Sequence, residues 1–297
     1  MATQCERVLI TGGAGFTGAP LAVALRRDGH EVVTLGRPGA GCDIAADLTD
    51  GESVVQAVQQ AEATAIIHLA AIAFAVDDNL HRLYTTNVSG TAALLKGAVA
   101  CKDRLKTVIL ASSGKVYAPP ASDDPITEDS PLGPIDHYGI SKLAMEHLAR
   151  MFGGQLPITI VRPFNYTGPG QDKRFFVPKL VEAFVAKRDI TVGNLELARD
   201  FTDLDTVIEV YKRLVASPRP GGTFNICSGV ATPLIEIVNT LAELTRNRIN
   251  LTVDPALVRA SEPPVIVGSA ARLERAIGGI SRPALSETLA RMVAAAA

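Results

Sequence analysis

Tyr138 and Lys142 are the two residues whose types and spacing most clearly suggest chemistry. They stand four positions apart in a stretch with helical character, which places them on one face of a helix, one turn apart. Lowering the pKa of a phenol from about 10 to about 7 needs roughly 4 kcal/mol. A cation at about 4 Å supplies about 1 kcal/mol in bulk water and about 4 kcal/mol at an effective dielectric of about 20. The pair therefore predicts a proton donor and acceptor only if the rest of the chain supplies a partly dry cleft; on a solvated helix face the same spacing means nothing.

A glycine-rich segment follows the first apolar run of the chain. Val8–Ile10 leads into a G-x-x-G-x-x-G spacing, and a helical pattern begins at about Thr17. Glycines let the backbone approach a pyrophosphate, and the helix N-terminus favours its charge. In this strand, turn and helix context the segment predicts dinucleotide binding. The residues assigned to this loop are Gly12, Gly15, Phe16, Thr17 and Gly18.

The end of the second predicted strand, Glu31–Leu35, bears on the choice of cofactor. An acid is usual at this point in NAD-binding proteins, where it holds the ribose 2′-hydroxyl. Gly36 stands there instead, and Arg37 follows, either as a partner for a 2′-phosphate or as a solvated loop residue. The pattern favours NADPH, with NADH as the alternative. Asp47 and Leu48, after the third predicted strand, are placed to touch the adenine region.

The alternation of predicted strands and helices defines the fold class. Six strands alternate with helices up to Ile158–Arg162, which predicts an α/β fold with a Rossmann-type doubly wound parallel sheet. The longest helical pattern up to the fifth strand, Asn79–Ala100, contains Asn87, which either pins backbone groups of neighbouring strands or only solvates a face. After Pro163 the elements become shorter. We therefore predict an NAD(P)-binding domain over 1–163 and a smaller substrate-binding lobe over 164–297, with elements returning to the large sheet.

Length, charge and cysteine content bear on the broad class of protein. The chain has 297 residues and a formal net charge of −2, so nothing suggests a nucleic acid or a membrane surface as a partner. Apolar runs stay below the ~18–20 residues of a membrane-spanning helix. The chain enters a strand-like run almost at once, so we expect no signal peptide. Four scattered cysteines without C-x-x-C spacing favour reduced thiols and a cytoplasmic protein, and we predict no metal site.

Motifs along nearly the whole chain together resemble the extended short-chain dehydrogenase/reductase family of nucleotide-sugar epimerases, dehydratases and reductases. Those of the first half are the glycine spacing, His68-Leu-Ala-Ala71, Ser113 four residues before Tyr117, Tyr138-x-x-x-Lys142 and Arg162-Pro-Phe-Asn165. Motifs of the second half look like the branch that acts on GDP-sugars, and are most similar to GDP-4-keto-6-deoxy-mannose reductases, which make GDP-rhamnose. They are Asn165–Gln171, Val192–Glu196, Arg199–Asp203, Asn225–Gly229 and Arg259–Glu262.

The resemblance implies a ketone reduction and a set of site residues. Hydride would pass from the nicotinamide C4 to the sugar C4 ketone, with Tyr138 as proton donor and Ser113 bonded to the same oxygen. Lys142 would keep Tyr138 acidic and hold the nicotinamide ribose. Further cofactor contacts are expected at Leu69, Ala70, Ala71, Asn87 and Pro163. Substrate contacts are expected at Ser113, Asn165, Val177, Arg199, Asn225, Arg259 and Glu262.

The residues after Ser113 distinguish subclasses of this family. Dehydratases carry an acidic pair there, and epimerase-reductases of the GDP-fucose type carry a cysteine at the first position. Gly114 and Lys115 occupy these positions, so we expect neither water elimination nor 3,5-epimerisation. Three alternatives stay open: a dTDP-4-keto-6-deoxy-hexose reductase of the 6-deoxy-talose type, a nucleotide-sugar 4-epimerase that retains NAD, and a non-catalytic NADP-sensing relative. The family also predicts a homodimer through a four-helix bundle built from Asn79–Ala100 and the helix of Tyr138.

Overall fold

Short apolar strands alternate with amphipathic helices through most of the chain. The computed structural model describes residues 5–73, 79–257 and 262–296. The strands are β1 (Arg7–Thr11), β2 (Glu31–Gly36), β3 (Ile44–Ala45), β4 (Ala65–His68), β5 (Thr107–Ala111), β6 (Ile158–Pro163), β7 (Asn165–Thr167), β8 (Ile190–Val192), β9 (Ala198–Asp203), β10 (Thr223–Ile226), β11 (Ala231–Pro233), β12 (Leu251–Val253) and β13 (Val265–Ile266). The helices are α1 (Gly18–Arg27), α2 (Gly51–Gln60), α3 (Leu80–Tyr84), α4 (Gly90–Val99), α5 (His137–Phe152), α6 (Phe176–Val185), α7 (Leu204–Ala216), α8 (Leu234–Thr245), α9 (Ala271–Ile277) and α10 (Leu285–Ala296).

A parallel sheet forms the centre of the molecule. Over the described ranges its order is β10-β6-β5-β4-β1-β2-β3, and every neighbouring pair is parallel. The strand order reverses direction beside β1, which creates the crevice in which such sheets bind nucleotides. Strands such as β4, with all four residues buried, are apolar on both faces because helices cover both sides. This arrangement confirms the predicted Rossmann-type α/β fold.

Two hydrophobic cores lie on the two faces of this sheet. One contains α2, α4 and α5 residues such as Val54, Leu94 and Met145. The other contains α1 and α7 residues such as Leu21 and Tyr211. Burial of these side chains supplies the main stabilisation of the layered structure, at about 25 cal/mol per Å² of apolar surface. The carboxyl ends of the strands are thereby held at one edge.

The second half of the chain builds a smaller set of layers and also rejoins the large sheet. Strands β11, β9 and β13 pair in that order, β7 also pairs with β9, and β8 pairs with β12. Helices α6, α8 and α10 share their own hydrophobic cluster. Strand β10 pairs with β6, and α7 packs against α1. The division at residue 163 stays a prediction.

The stretch predicted as one long helix from Asn79 to Ala100 is interrupted. Helices α3 and α4 are joined by one π-helical turn, Thr85–Ser89, which contains Asn87. Such π-turns insert an extra residue into a helix and occur often at functional sites. The interruption turns Asn87 inward, where it is 1% exposed.

In the part of the chain that the structure describes, no helix is long and apolar enough to cross a membrane.

Candidate active site

The glycine-rich turn after β1 leaves an open backbone surface at the carboxyl edge of the sheet. Gly12 has a φ of +70°, and its N–H donates to the Leu35 carbonyl at 2.8 Å. A Cβ on Gly12 would lie 3.0 Å from the backbone nitrogen of Ala70. A Cβ on Gly18 would lie 2.2 Å from the Gly12 carbonyl oxygen. Only glycine fits these contacts, and the turn places the N-terminus of α1 where a pyrophosphate could bind.

Phe16 and Thr17 join this turn to the chain that follows β6. The hydroxyl of Thr17 lies 2.9 Å from the hydroxyl of Tyr166, and the Phe16 ring stacks on the Tyr166 ring with centroids 5.8 Å apart. Sequence reasoning did not single out Tyr166, because Thr17 and Tyr166 are 149 positions apart and no local pattern links them. The contact makes Tyr166 one wall of the same crevice.

Ser113, Tyr138 and Lys142 meet at this edge. Ser113 follows β5 and is 8% exposed, while Tyr138 and Lys142 lie one turn apart on α5, as their spacing predicted. The Lys142 Nζ atom lies 5.9 Å from the centroid of the Tyr138 ring and donates to the Ala111 carbonyl at 2.7 Å. Lys142 is 3% exposed, so the partly dry environment that the pair requires is present.

The protonation of the phenol follows mainly from burial. Burial raises the pKa of Tyr138 above its ordinary value, the neighbouring Tyr166 adds to the rise, and a hydrogen bond with Ser113 opposes it. That Lys142 keeps Tyr138 acidic stays a prediction; in this structure the Lys142 ammonium donates to the Ala111 carbonyl. Tyr138 is therefore a protonated phenol near neutral pH, which is the form that donates a proton.

Asn87 holds α5 against the segment after β4. Its Oδ1 accepts from the Ile72 N–H at 2.8 Å, and its Nδ2 donates to the Ile72 carbonyl at 3.1 Å and to the Ser141 hydroxyl at 3.0 Å. Of the two roles considered for Asn87, pinning of backbone groups is the one present.

Asp136 caps the start of α5 by accepting from the Gly139 N–H at 2.7 Å.

His68 serves the packing of the sheet. Its ring nitrogens lie 2.7 Å from the Thr11 hydroxyl and 2.9 Å from the Thr91 hydroxyl. Burial and the charge of Lys142 lower the pKa of His68 to about 3, so the ring is neutral.

The remaining predicted cofactor residues lie at or just after the carboxyl ends of β2, β3, β4 and β6. A Cβ on Gly36 would lie 2.6 Å from the Cys42 sulfur, so the packing of this loop leaves little room for an acid there. Arg37 is exposed, and its charge contributes to the lowered pKa of Asp47, although the main cause is the hydrogen bond from the Thr49 backbone. The positions of the others range from half-buried to buried: Leu48 before α2, Leu69, Ala70 and Ala71 after β4, and Pro163 at the end of β6.

The predicted substrate residues lie on several elements of the second half of the chain and differ in burial. Arg199 is buried on β9 and donates to the Glu262 carboxylate at 2.8 Å. Asn165 is exposed on β7, with its amide donating to the Asp200 carbonyl at 3.2 Å, and Val177 is buried in α6. Arg259 lies outside the described residues.

Asn225, also predicted to contact substrate, is fully buried. Its Oδ1 accepts from the Tyr117 hydroxyl at 2.6 Å and its Nδ2 donates to the Ile126 carbonyl at 3.0 Å. These bonds give it a structural role between β10 and the segment before α5. A substrate contact there stays a prediction.

A buried ionic group next to the predicted catalytic residues was missed by sequence reasoning. The carboxylate of Glu146 on α5 accepts two hydrogen bonds from Arg162 on β6, from Nε at 2.8 Å and from Nη2 at 2.7 Å. It also accepts from the Ser112 hydroxyl at 2.6 Å. The spacing of Glu146, four residues after Lys142 on a predicted helix, was the available signal.

Neither of the two residues that follow Ser113 is an acid. A Cβ on Gly114 would lie 3.1 Å from the Phe164 ring, so a larger side chain is crowded there. Lys115 forms an ion pair with Asp136 at 2.7 Å. Among the described residues, no group of three or more His, Cys, Asp or Glu side chains is arranged to hold a metal ion.

Comparison with known proteins agrees with this geometry. The model of the NAD dependent epimerase/dehydratase family matches residues 8–227. The chain is 32% identical to a GDP-6-deoxy-D-talose 4-dehydrogenase of Aggregatibacter actinomycetemcomitans, over 92% of this chain and 91% of that one. It is 30% identical to a GDP-6-deoxy-D-mannose reductase of Pseudomonas aeruginosa, over the same shares.

A solved structure shows the same fold. It is RMD from Pseudomonas aeruginosa complexed with NADPH, with a TM-score of 0.87 and 27% identity over 98% of this chain and 97% of that chain. The family model spans the glycine turn, Ser113, Tyr138 and Lys142 together. The chain therefore belongs to the NAD dependent epimerase/dehydratase family, as its resemblance to extended short-chain dehydrogenases/reductases predicted.

Proposed function

We propose that this protein reduces the C4 ketone of a GDP-4-keto-6-deoxy-hexose with NADPH, giving a GDP-6-deoxy-hexose such as GDP-D-rhamnose. The observation that carries the proposal is that buried Ser113 and Lys142 lie with Tyr138 at the sheet edge, where the Lys142 ammonium is 5.9 Å from the Tyr138 ring centroid. Gly114 and Lys115 stand after Ser113 in place of an acid or a cysteine. Such a site can protonate an alkoxide but lacks, at these two positions, a group to remove a proton from the sugar ring.

The mechanism assigns one task to each of three side chains. A bound nicotinamide cofactor supplies hydride to the sugar ketone. Tyr138 donates its phenolic proton to the oxygen that gains charge, and Ser113 donates a hydrogen bond to the same oxygen. Lys142, buried and cationic, holds a ribose hydroxyl and stabilises the phenolate that is left on Tyr138.

The residues around the glycine turn fit a dinucleotide. The close contacts at Gly12 and Gly18 keep side chains away from the place of the pyrophosphate, and α1 begins there. Gly36 packs against Cys42, and Arg37 stands exposed beside it. This arrangement supports NADPH over NADH, because an arginine accommodates a 2′-phosphate and no acid holds a 2′-hydroxyl at Gly36.

The substrate class is supported by two relatives and by the site. A GDP-6-deoxy-talose dehydrogenase and a GDP-6-deoxy-mannose reductase match the chain at similar identity. Their sugars differ in configuration at C4, which residue types do not determine. Arg199 would bind the diphosphate, with Asn165 beside it, while Glu262 and Arg259 would reach the nucleoside ribose or the distal phosphate.

The free cysteines and the proposed use of NADPH support a cytoplasmic location. The enzyme would act in deoxysugar biosynthesis, and its product would be used for a surface glycan such as lipopolysaccharide. We further propose a homodimer formed through the outer faces of α5 and the α3–α4 region, as members of this family commonly pair.

The test is NADPH consumption with GDP-4-keto-6-deoxy-mannose, with the dTDP counterpart in parallel and the product sugar identified by NMR. Rapid oxidation with the GDP substrate alone would establish the reductase, and coupling constants would give the C4 configuration. NADPH oxidation with the dTDP substrate alone would show that the substrate carries dTDP and not GDP. NAD retained through purification, with sugar isomerised and no net oxidation, would instead identify the 4-epimerase. Tight NADP binding without turnover of any of these sugars would identify a sensor.

A further inference from the structure

We propose that Glu146 is a positioning residue of this site, whose buried carboxylate fixes both the orientation and the positive charge of Lys142, with Arg162 as its counter-ion. The inference rests on the proposed function for what Lys142 does, since Lys142 is assigned to the cofactor ribose and to Tyr138. The effect of Glu146 on the titration of Lys142 can be measured without cofactor or sugar.

The orientation follows from two bonds between β5 and α5. Lys142 Nζ donates to the carbonyl of Ala111 at 2.7 Å, and one turn further along α5 Glu146 Oε1 accepts from the hydroxyl of Ser112 at 2.6 Å. Ala111 and Ser112 are the two residues before Ser113. The two bonds therefore fix both residues that precede Ser113 to the helix that carries Tyr138 and Lys142.

Arg162 keeps the Glu146 carboxylate in place. Its guanidinium donates through Nε and Nη2 to the two carboxylate oxygens, a geometry that adds direction as well as strength. Its Nη1 donates to the Tyr117 hydroxyl at 2.9 Å, and Tyr117 in turn donates to Asn225. Glu146 is 0% exposed and Arg162 is 2% exposed, so both charges act in a weakly screened interior.

The charges around Lys142 give the carboxylate a specific task. Tyr138 and Glu146 lie on the same helix as Lys142, and neutral His68 approaches from β4. Glu146 in turn has two cations beside it, Arg162 on β6 and Arg150 on α5, whose Nη2 lies 3.4 Å from Glu146 Oε2. Burial lowers the pKa of Lys142 to about 8, and the charge of Glu146 opposes this shift. Without that carboxylate, the pKa of Lys142 would fall further, and a larger share of the protein would carry a neutral amine that cannot donate a charge-assisted bond to the ribose.

A purely structural role for the ion pair makes a different prediction. Buried ion pairs can often be replaced by neutral residues of similar shape without loss of stability, so shape alone does not require these charges. If Glu146 only fills space, replacement by Gln leaves the protonation of Lys142 unchanged. If its charge matters, Glu146→Gln and Arg162→Gln shift the titration of Lys142 in opposite directions.

The experiment is an NMR titration of ¹³C-lysine-labelled protein without ligands, following the ¹³Cε signal of Lys142 and assigning it by its loss in Lys142→Met. We expect a midpoint near pH 8 in the unchanged protein. Glu146→Gln should lower it by about one pH unit or more, and Arg162→Gln should raise it. Ser112→Ala is the matched control, because it removes a hydrogen bond to the same carboxylate without changing any charge, and should shift the midpoint least.

A second measurement ties the effect to the cofactor. NADPH binding to Glu146→Gln, followed by fluorescence at pH 6 and pH 8, should weaken more at the higher pH than in the unchanged protein. An unchanged Lys142 midpoint in Glu146→Gln, or shifts of the same sign in both variants, would overturn the proposal. If Glu146→Gln does not fold, Arg162→Gln decides alone: a raised midpoint supports the proposal and an unchanged one overturns it. Normal titration shifts without sugar reduction would refute the proposed function and leave the role of Glu146 intact.

Discussion

The phenol of Tyr138 owes its character to the residues that surround it. Burial and the nearby Tyr166 raise its pKa, and the hydrogen bond of Ser113 favours the opposite direction. An acid with a high pKa keeps its proton until a strongly basic oxygen forms beside it, and an alkoxide is such an oxygen. The spacing of Tyr138 and Lys142 predicted their neighbourhood, but the balance of burial and hydrogen bonding required the folded structure.

Tyr138→Phe should abolish most of the proposed reduction while leaving cofactor binding intact. Loss of a positioned general acid typically lowers a rate by about 10²- to 10⁴-fold. The measurement is kcat for NADPH oxidation with the GDP-sugar, together with NADPH affinity by fluorescence. Tyr84→Phe is the control: it removes one hydroxyl that lies 3.0 Å from the His137 Nδ1 atom and should preserve kcat. Full turnover in Tyr138→Phe would contradict the mechanism.

The titration of Lys142 predicts how pH acts on the cofactor. The charged ammonium binds a ribose hydroxyl better than the amine does, and the pKa of Lys142 in the free protein is about 8. NADPH affinity should therefore fall as pH rises through about 8, by up to about tenfold per pH unit. Lys142→Met should bind NADPH more weakly, with this dependence removed. A flat affinity from pH 6 to pH 9 in the unchanged protein would count against Lys142 as a cofactor ligand.

Lys142 also contributes to the free energy of unfolding, and this contribution changes with pH in the direction opposite to the cofactor affinity. Its pKa falls from 10.5 to about 8 on burial, so the unfolded chain binds more protons between these values. Stability rises with pH wherever the unfolded state binds more protons. The contribution of Lys142 to the free energy of unfolding should thus increase from about pH 8 to pH 10.5, while cofactor affinity decreases. This opposition separates loss of binding from loss of fold.

Among the elements, the turn between β1 and α1 depends most on the absence of side chains. A Cβ on Gly18 would lie 2.2 Å from the Gly12 carbonyl oxygen, so Gly18→Ala must displace the turn or the start of α1. We expect NADPH affinity to fall by at least about tenfold, because a backbone shift of a few tenths of an ångström removes pyrophosphate contacts worth about 1.4 kcal/mol or more. Gly154→Ala is the matched control, since a Cβ there meets open space. Equal affinity in the two variants would refute the assignment of this turn.

The elements that periodicity predicts are those with long apolar patterns. Strands β2 and β6 fall where the sequence predicts them, and α5 carries Tyr138 and Lys142 as expected. The π-turn around Asn87 was not predicted, because its apolar positions continue the pattern of one helix and only the inward packing of Asn87 interrupts it. Strand β13, with two residues, is too short for any alternation to be visible and forms only by pairing with β9.

Contacts between distant parts of the chain set the limit of sequence reasoning for the whole molecule. Glu146 and Arg162 are 16 residues apart, and Arg162 and Tyr117 are 45 apart. Their meeting follows from the parallel sheet, which brings the ends of β5 and β6 together under α5. A sequence pattern identifies the sheet edge as the site, whereas the ionic group beside Lys142 becomes visible only when the strands are in register.

The homodimer predicted from the family stays a prediction, and the outer face of α5 is the surface that we propose for it. Leu94 and Leu95 of α4 are fully buried in the hydrophobic core against the large sheet, so they are not available for contact between two copies. The outer face of α5 presents Ile140, 41% exposed, and Met151, 75% exposed, which lie eleven residues apart and hence on one stripe of the helix. This stripe is the expected contact between two copies.

Replacing both residues of that stripe should separate the dimer. Ile140→Asp/Met151→Asp places two carboxylates on a surface that is expected to lose water on association, and unpaired buried charges strongly oppose association. Light scattering at micromolar concentration should give twice the mass of the chain for the unchanged protein and the single mass for this variant. Val23→Asp, on α1 across the sheet, is the control and should remain a dimer because Val23, 46% exposed, lies on the opposite side of the molecule. A single-chain mass for the unchanged protein would exclude the dimer, and a dimeric double variant would place the interface on another surface.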